Sequence, residues 1–405
     1  MEKTEMTLQE APKVSLIVPM YMCEAYVPEL MAMLCGQDMR EIEIICVIDG
    51  SPDRTRELVE KYAAGDSRIL VIVQDHGGAG KARNTGMAAA RGKYLMFPDA
   101  DDDFQRNYVS TMYHSAEKYN ADIVICQMTR MDFATQITYE KLGYDLLAVP
   151  VGKSFHPENL PNIYNAISRY PFNKIFKKEL IEKYQISFSE IQSNNDVYFV
   201  CAALTCASCI AAIPDSLYTY KMNKNPSSIT SNKKNTDFLT AFNDLFLWLN
   251  RWDLWNRNAD NFIKGWQDSF HYQAKFGHNE NFVQKVSGQI ISNEPWKTMD
   301  DWTLYRRLRL DLSIQKTKAD LIRFRKYLKR CLNHSTDICD FLLTRQMNEI
   351  QNVNAIKKGL EIVYGKCLES RDNLFRSIIW TIQDDVPSSF INTIFRRMKA
   401  LVKIK

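Results

Sequence analysis

Between residues 14 and 127, short apolar runs alternate with longer amphipathic ones, and this alternation constrains the fold more than any other feature. The runs 14–19, 42–48, 69–74, 94–97 and 123–127 are brief and apolar, the first rich in β-branched residues, as strands buried on both faces are. Segments 26–34, 55–64, 79–91 and 104–119 have helical character, with Ser51 and Asp53 available to cap the second. The pattern predicts a Rossmann-like α/β domain, a mostly parallel sheet with helices on both faces.

Such sheets bind ligands at the C-terminal ends of their strands. Polar residues fill those positions in four successive loops: Tyr21 and Glu24, then 49–53, 76–83 and 99–103. From about residue 240 Gly and Pro become scarce and Leu, Arg, Lys and Trp recur at helical spacing, which predicts a mainly helical second domain. Trp248, Trp252 and Trp255 are expected to be core residues of it. The expected boundaries are a flexible segment 1–12, an α/β domain 13–235 and a helical domain 240–405.

Composition narrows the function. The 405 residues carry 52 basic and 48 acidic side chains, too even a balance to indicate nucleic-acid binding. The 10 cysteines form no dense framework and read as reduced thiols of a cytosolic protein. Cys206 and Cys209 lack a second pair at zinc spacing and read as part of a buried helix. The acidic N-terminus does not resemble a signal peptide, and no run reaches the ~18 apolar residues of a spanning helix. At 388–405, Ile391, Ile394, Phe395, Met398, Leu401 and Val402 share a helical face beside Arg396, Arg397, Lys399, Lys403 and Lys405. That pattern suits a helix lying on an anionic membrane surface, or one packed on its own domain or a partner.

Four motifs carry chemistry. In Phe97-Pro-Asp-Ala-Asp-Asp-Asp103, Asp99 and Asp101 stand one residue apart after a strand and suit a divalent cation bridging to a diphosphate; an acidic cap on the next helix is the alternative. The run 76–86, HGGAGKARNTG, satisfies neither the Walker nor the dinucleotide pattern, because Ala82 follows Lys81 and Arg83 stands where a third Gly is needed. It reads as a Gly-rich helix start, with Arg83 aimed at a phosphate or at the acidic loop. Asp49, in VIDGSPD, can accept from a base or ribose, or simply open a turn. Asp196, in NNDVYF, can act as a general base or cap a helix.

In this order the motifs resemble the inverting glycosyltransferases of family 2, which have the GT-A fold. The resemblance spans about residues 14–230, through VSLIVPMYMCEAY, IEIICVIDGSPDRT, HGGAGKARNTGMAAARGKYLMFPDADDDF, FNKIFKKELIEKYQISFSE with NNDVYF, and IPDSLYTYKMNKNPSSIT. It implies a donor site formed by Pro19, Tyr21, Glu24, Asp49, Arg83, Asp99 and Lys221. It further implies a Mn or Mg ion held by Asp101 with Asp99, and Asp196 as catalytic base. Met22, Ile48, Pro52, His76 and Asn195 depart from the family's usual Asn, Asp, Thr, Asn and acid. The implied partners are a nucleotide-sugar donor, of UDP type, and a saccharide or lipid-linked saccharide acceptor. The implied location is the cytoplasm, with the inner face of the membrane as the tail's surface. A nucleotidyltransferase and a non-catalytic glycan-binding or assembly subunit are the competing readings.

Overall fold

The computed structural model describes residues 11–141, 143–222 and 236–274. In chain order the first elements are β1 (Val14–Met20), α1 (Val27–Cys35), β2 (Ile42–Asp49), α2 (Thr55–Ala63), β3 (Ile69–Gln74), α3 (Gly78–Ala89) and β4 (Tyr94–Met96). There follow β5 (Asp103–Phe104), α4 (Tyr108–Tyr119), β6 (Ile123–Asp132), β7 (Ile137–Lys141), β8 (Ser154–Phe155) and α5 (Ile163–Ala166). The last are β9 (Lys174–Lys177), α6 (Lys178–Lys183), α7 (Asn195–Cys206), β10 (Ile210–Met222), α8 (Asp237–Arg251) and α9 (Trp255–Ala274).

The strands form one sheet along the path β3-β2-β1-β4-β9-β6-β10-β5, with β7 on β6 and β8 on β10. The first four are mutually parallel, so their C-terminal ends open on one edge. β9 runs antiparallel to both β4 and β6, and β10 returns parallel to β6.

Period-two alternation gives the sheet two apolar faces. Leu16, Val18, Ile44 and Cys46 face α1 and α4, whereas Ile17, Ile45, Val47 and Phe97 face α3 and α7. Each such side chain, taken wholly out of water, contributes about 2 kcal/mol. The alternation also places Asp49 on the face of Ile45 and Val47, toward the start of α3.

Three local readings change. The helix expected from Phe104 starts at Tyr108, because Asp103 and Phe104 pair with Thr219 and Tyr218 of β10. The strand expected to end at Gln127 continues to Asp132 along β10. Cys206 ends α7 and Cys209 lies beyond it, donating from Sγ to Tyr119 O, so the pair does not share a helix. Pro214 lies where the register between β10 and β6 shifts, an irregularity that accommodates a residue without an N–H.

Of the expected helical domain, α8 and α9 are described. Phe238, Phe242, Trp248 and Trp266 bury into the same core as α7 and the sheet. Trp248 Nε1 donates to Tyr184 O and this ring is a core residue as expected, whereas Trp252 and Trp255 are only partly buried against the same core. No described helix is long and apolar enough to cross a membrane. The tail 388–405 lies outside the described residues.

Candidate active site

α3 organises the site, and its glycines explain how. A Cβ on Gly86 would lie 2.4 Å from Ile17 Cγ2, and one on Gly80 would lie 2.2 Å from Ser189 O. The helix therefore sits against β1 on one side and against the segment entering α7 on the other. Asn84 fastens the second contact, donating to Phe188 O at 3.0 Å and accepting from Phe188 N at 2.8 Å.

Arg83, on the same turn, is buried and bridges two elements. Its Nη2 donates to Asp99 Oδ1 at 2.5 Å, and its Nη1 donates to Asn195 Oδ1 at 2.8 Å. The guanidinium also lies over the Phe188 ring, 5.2 Å from its centroid. The acidic turn after β4 is thereby tied to the first turn of α7, where Asp196 stands.

The N-terminus of α3 is already supplied with an anion. Asp49 is buried at the end of β2 and accepts from Gly77 N at 2.9 Å and Gly78 N at 2.8 Å. Gln74 Nε2 adds a third bond at 2.6 Å and His76 Nδ1 lies 2.9 Å from Oδ2. A carboxylate at free helix N–H groups is favoured by their partial positive charge. Gly78 has φ +86°, a conformation that favours glycine, and that turn aims its N–H at Asp49.

The loops after β1 and β2 clamp each other. Met22 N donates to Ser51 Oγ, Cys23 N to Thr55 Oγ1 and Glu24 N to Asp53 Oδ2. Glu24 Oε2 in turn accepts from Arg54 N at 2.8 Å. Asp53 accepts from Thr55 N and Ser51 Oγ rather than capping α2 from its N-cap position, which Arg54 holds. Pro19 lies in register with Val47, and Tyr21 is exposed with its ring stacked on His76 at 4.3 Å between centroids.

Asp99, Asp101 and Asp102 belong to a turn rather than a helix cap; α4 begins after Asn107. Asp99 N donates to the Tyr218 hydroxyl, which reaches it from β10. Asp102 is buried, and its Oδ1 accepts from Lys221 N at 2.8 Å while Oδ2 has no hydrogen-bond partner among the described residues. Burial, then the charges of Asp101 and Asp99, push its carboxyl well above the ordinary carboxylate range. Lys221 pairs through Nζ with Asp103, so its ammonium is neutralised within the fold.

Asp196 is not the N-cap of α7, which is Asn194, but lies in its first turn. Burial raises its carboxyl above the ordinary value, and the positive charge of Arg83 opposes that rise. Tyr170, Arg169 and Lys174 also feel or exert its field. Lys174 is fully buried and donates to Ser168 O, Tyr170 O and Asn173 Oδ1 at 2.7, 2.7 and 2.8 Å. Burial lowers its pKa from 10.5 to about 7.

The structure thus brings Arg83, Asp99 and Asn195, the neighbour of Asp196, into one bonded group, and Tyr21, Asp49 and His76 into a second. Glu24 and Lys221 bond within the protein. Sequence reading did not anticipate Tyr218, Phe188, Arg169, Tyr170 or Lys174, which come from elements far along the chain.

Comparison with known proteins agrees with this architecture. The model of glycosyl transferase family 2 matches residues 15–185. EpsH of Bacillus subtilis strain 168, a putative glycosyltransferase, is 30% identical over 308 residues, 74% of this chain and 82% of EpsH. The uncharacterized glycosyltransferase EpsJ of the same organism is 35% identical over 223 residues, covering 54% of this chain and 63% of EpsJ, under two thirds of its length. Among solved structures, Staphylococcus aureus TarS 1–349 in complex with UDP superposes with a TM-score of 0.56 at 20% identity, over 73% of this chain and 81% of that one. The same TarS segment with UDP-GlcNAc gives 0.52 at 21% identity, over 75% and 89%. At that identity the likeness is one of fold, and the fold is GT-A.

Proposed function

The chain belongs to glycosyltransferase family 2, and from that premise we propose that it is an inverting glycosyltransferase using a nucleotide-diphospho-sugar, of UDP type, in polysaccharide biosynthesis. The observation that carries this reading is the Arg83 bridge, which holds a donor-side carboxylate, Asp99, and the neighbour of Asp196 on one guanidinium. The relatives lend support: TarS is named a poly(ribitol-phosphate) β-N-acetylglucosaminyltransferase, and its structures hold UDP and UDP-GlcNAc. An acceptor of saccharide or lipid-linked saccharide class follows from the same reading.

In the proposed reaction the donor lies along the C-terminal ends of β1 to β4. Its base meets Tyr21 and Asp49, and its diphosphate meets the acidic turn and Arg83. Asp196 takes the proton of an acceptor hydroxyl as that oxygen attacks the anomeric carbon, from the face opposite the leaving diphosphate. One displacement inverts the centre, so an α-linked donor gives a β-glycoside. A carboxyl raised by burial is a stronger base than an ordinary aspartate, and the positive charge of Arg83 opposes that rise.

The acidic turn fits a divalent cation of the Mg or Mn kind. Among the described residues no three candidate ligands converge on one point. Such an ion, however, is commonly held by one or two carboxylates and completed by substrate phosphates. Asp101 and Asp99 supply hard oxygens, and the buried carboxyl of Asp102 stands beside them. A bound cation would neutralise charge growing on the leaving nucleoside diphosphate.

Calorimetric titration of UDP and GDP, with and without Mn, tests the donor class. Mn-dependent binding of UDP alone is expected. Absence of nucleotide binding under both conditions would favour a non-catalytic glycan-binding subunit.

A further inference from the structure

His76 follows β3 and leads into α3. Its side chain is more than half exposed, yet it makes contacts on two sides. Nδ1 lies 2.9 Å from Asp49 Oδ2 and 3.1 Å from Asp49 O, two acceptors facing one nitrogen. That environment assigns the hydrogen to Nδ1, which donates. The ring lies on Tyr21 with an interplanar angle of 28°. Beneath it Gly50 has φ +63°, and a Cβ there would lie 2.6 Å from His76 N, so the backbone is seated tightly while the imidazole projects.

A flat ring stacked on tyrosine, with an N–H directed into a buried carboxylate, makes the contacts that a uracil base could make through its imide N–H. The other donors to Asp49 hold the fold together: Gly77 N and Gly78 N start α3, and Gln74 is locked by Thr85, whose Oγ1 donates to Gln74 Oε1 at 2.6 Å. His76, with 56% of its side chain exposed, is the donor that can leave without opening the helix.

We propose that His76 is an internal stand-in for the nucleobase and a determinant of base selectivity. Its imidazole competes for the Tyr21 ring and Asp49 Oδ2, and a donor nucleotide binds by displacing it. This rests on the nucleotide-sugar reading and deepens it. Uracil returns an N–H to Asp49 when His76 swings away. Cytosine brings a lone pair to the same carboxylate and leaves the lost hydrogen bond unreplaced.

The test is calorimetric titration of UDP, CDP and N3-methyl-UDP, with Mn, into the wild type and the H76A and H76N variants. His76 is exposed, and circular dichroism is used to check that each variant is folded. H76A is expected to bind UDP about tenfold more tightly, as removal of one competing charge-assisted hydrogen bond implies. H76N, which can donate but not stack, is expected to fall between H76A and wild type. Wild type is expected to prefer UDP to both CDP and N3-methyl-UDP. Equal or weaker UDP binding by H76A would overturn the stand-in and leave the donor reading intact. Absence of UDP binding in every folded variant would overturn the donor reading itself and this proposal with it.

Discussion

Arg83, itself buried, donates to the partly exposed Asp99 at 2.5 Å, and both groups depend on that contact. Without Arg83, Asp99 would lose its counter-charge and Asn195 its partner, so the acidic turn and the first turn of α7 would be free to separate. The bond is thus the physical link between the proposed donor site and the proposed base.

Substitution of Arg83 should therefore affect stability and turnover together. Arg83→Met is expected to cost about 2 kcal/mol in urea unfolding, the scale for leaving hydrogen-bond partners of a partly buried charge unpaired. Transfer should fall by about 100-fold or more, because a small displacement of Asp196 from the anomeric carbon is expensive. Arg83→Lys keeps the charge but not the two-armed reach, and should recover stability more than turnover.

Asp101→Ala should remove the Mn dependence of UDP binding while leaving the folded core unchanged, since the residue lies in a turn outside both apolar clusters. Calorimetry with and without Mn reads this directly. Unchanged Mn dependence would remove Asp101 from the metal site.

The raised carboxyl of Asp196 carries a sign in both activity and stability. Activity should climb as this group ionises, with an acid limb above the ordinary aspartate value of about 3.9. In the unfolded chain the same proton leaves at the ordinary value. Between the two values the folded protein therefore holds more protons, and this group lowers stability as pH rises. Asp196→Asn should abolish that component of a pH series of urea unfolding curves.

Lys174 has the opposite sign. Its value of about 7 in the folded protein lies below its ordinary 10.5, so between them the unfolded chain holds the extra proton. Stability from this group should rise with pH across that window and be lowest below it. Lys174→Met should flatten the rise. It should also cost about 3 kcal/mol at neutral pH, because Ser168 O and Tyr170 O would lose buried partners.

The legible part of this fold is the part that local pattern controls. β1 and β2 are buried, short and β-branched, and the helices that follow them are amphipathic, so Val14–Met20 and Ile42–Asp49 could be placed to within a residue. β5 and β10 could not, because Asp103 and Phe104 form a strand through pairing with Thr219 and Tyr218, more than a hundred residues away. The candidate site divides in the same way. Asp99, Asp101 and Asp196 announce themselves as carboxylates at element ends. The binding of Asp49 by Gly77 and Gly78, and the seat of His76 on Tyr21, arise where three loops converge. No single stretch of sequence encodes that convergence.

The central claim is that Asp196 acts as a base on a nucleotide-sugar held by the rest of the site. It is tested by measuring UDP release from a panel of UDP-sugars with wild type and Asp196→Asn, each saturated with donor as judged by calorimetry. The account predicts UDP release by the wild type, slowed by about 100-fold or more in the variant, with UDP affinity unchanged. Equal release by the two proteins at equal saturation would contradict it.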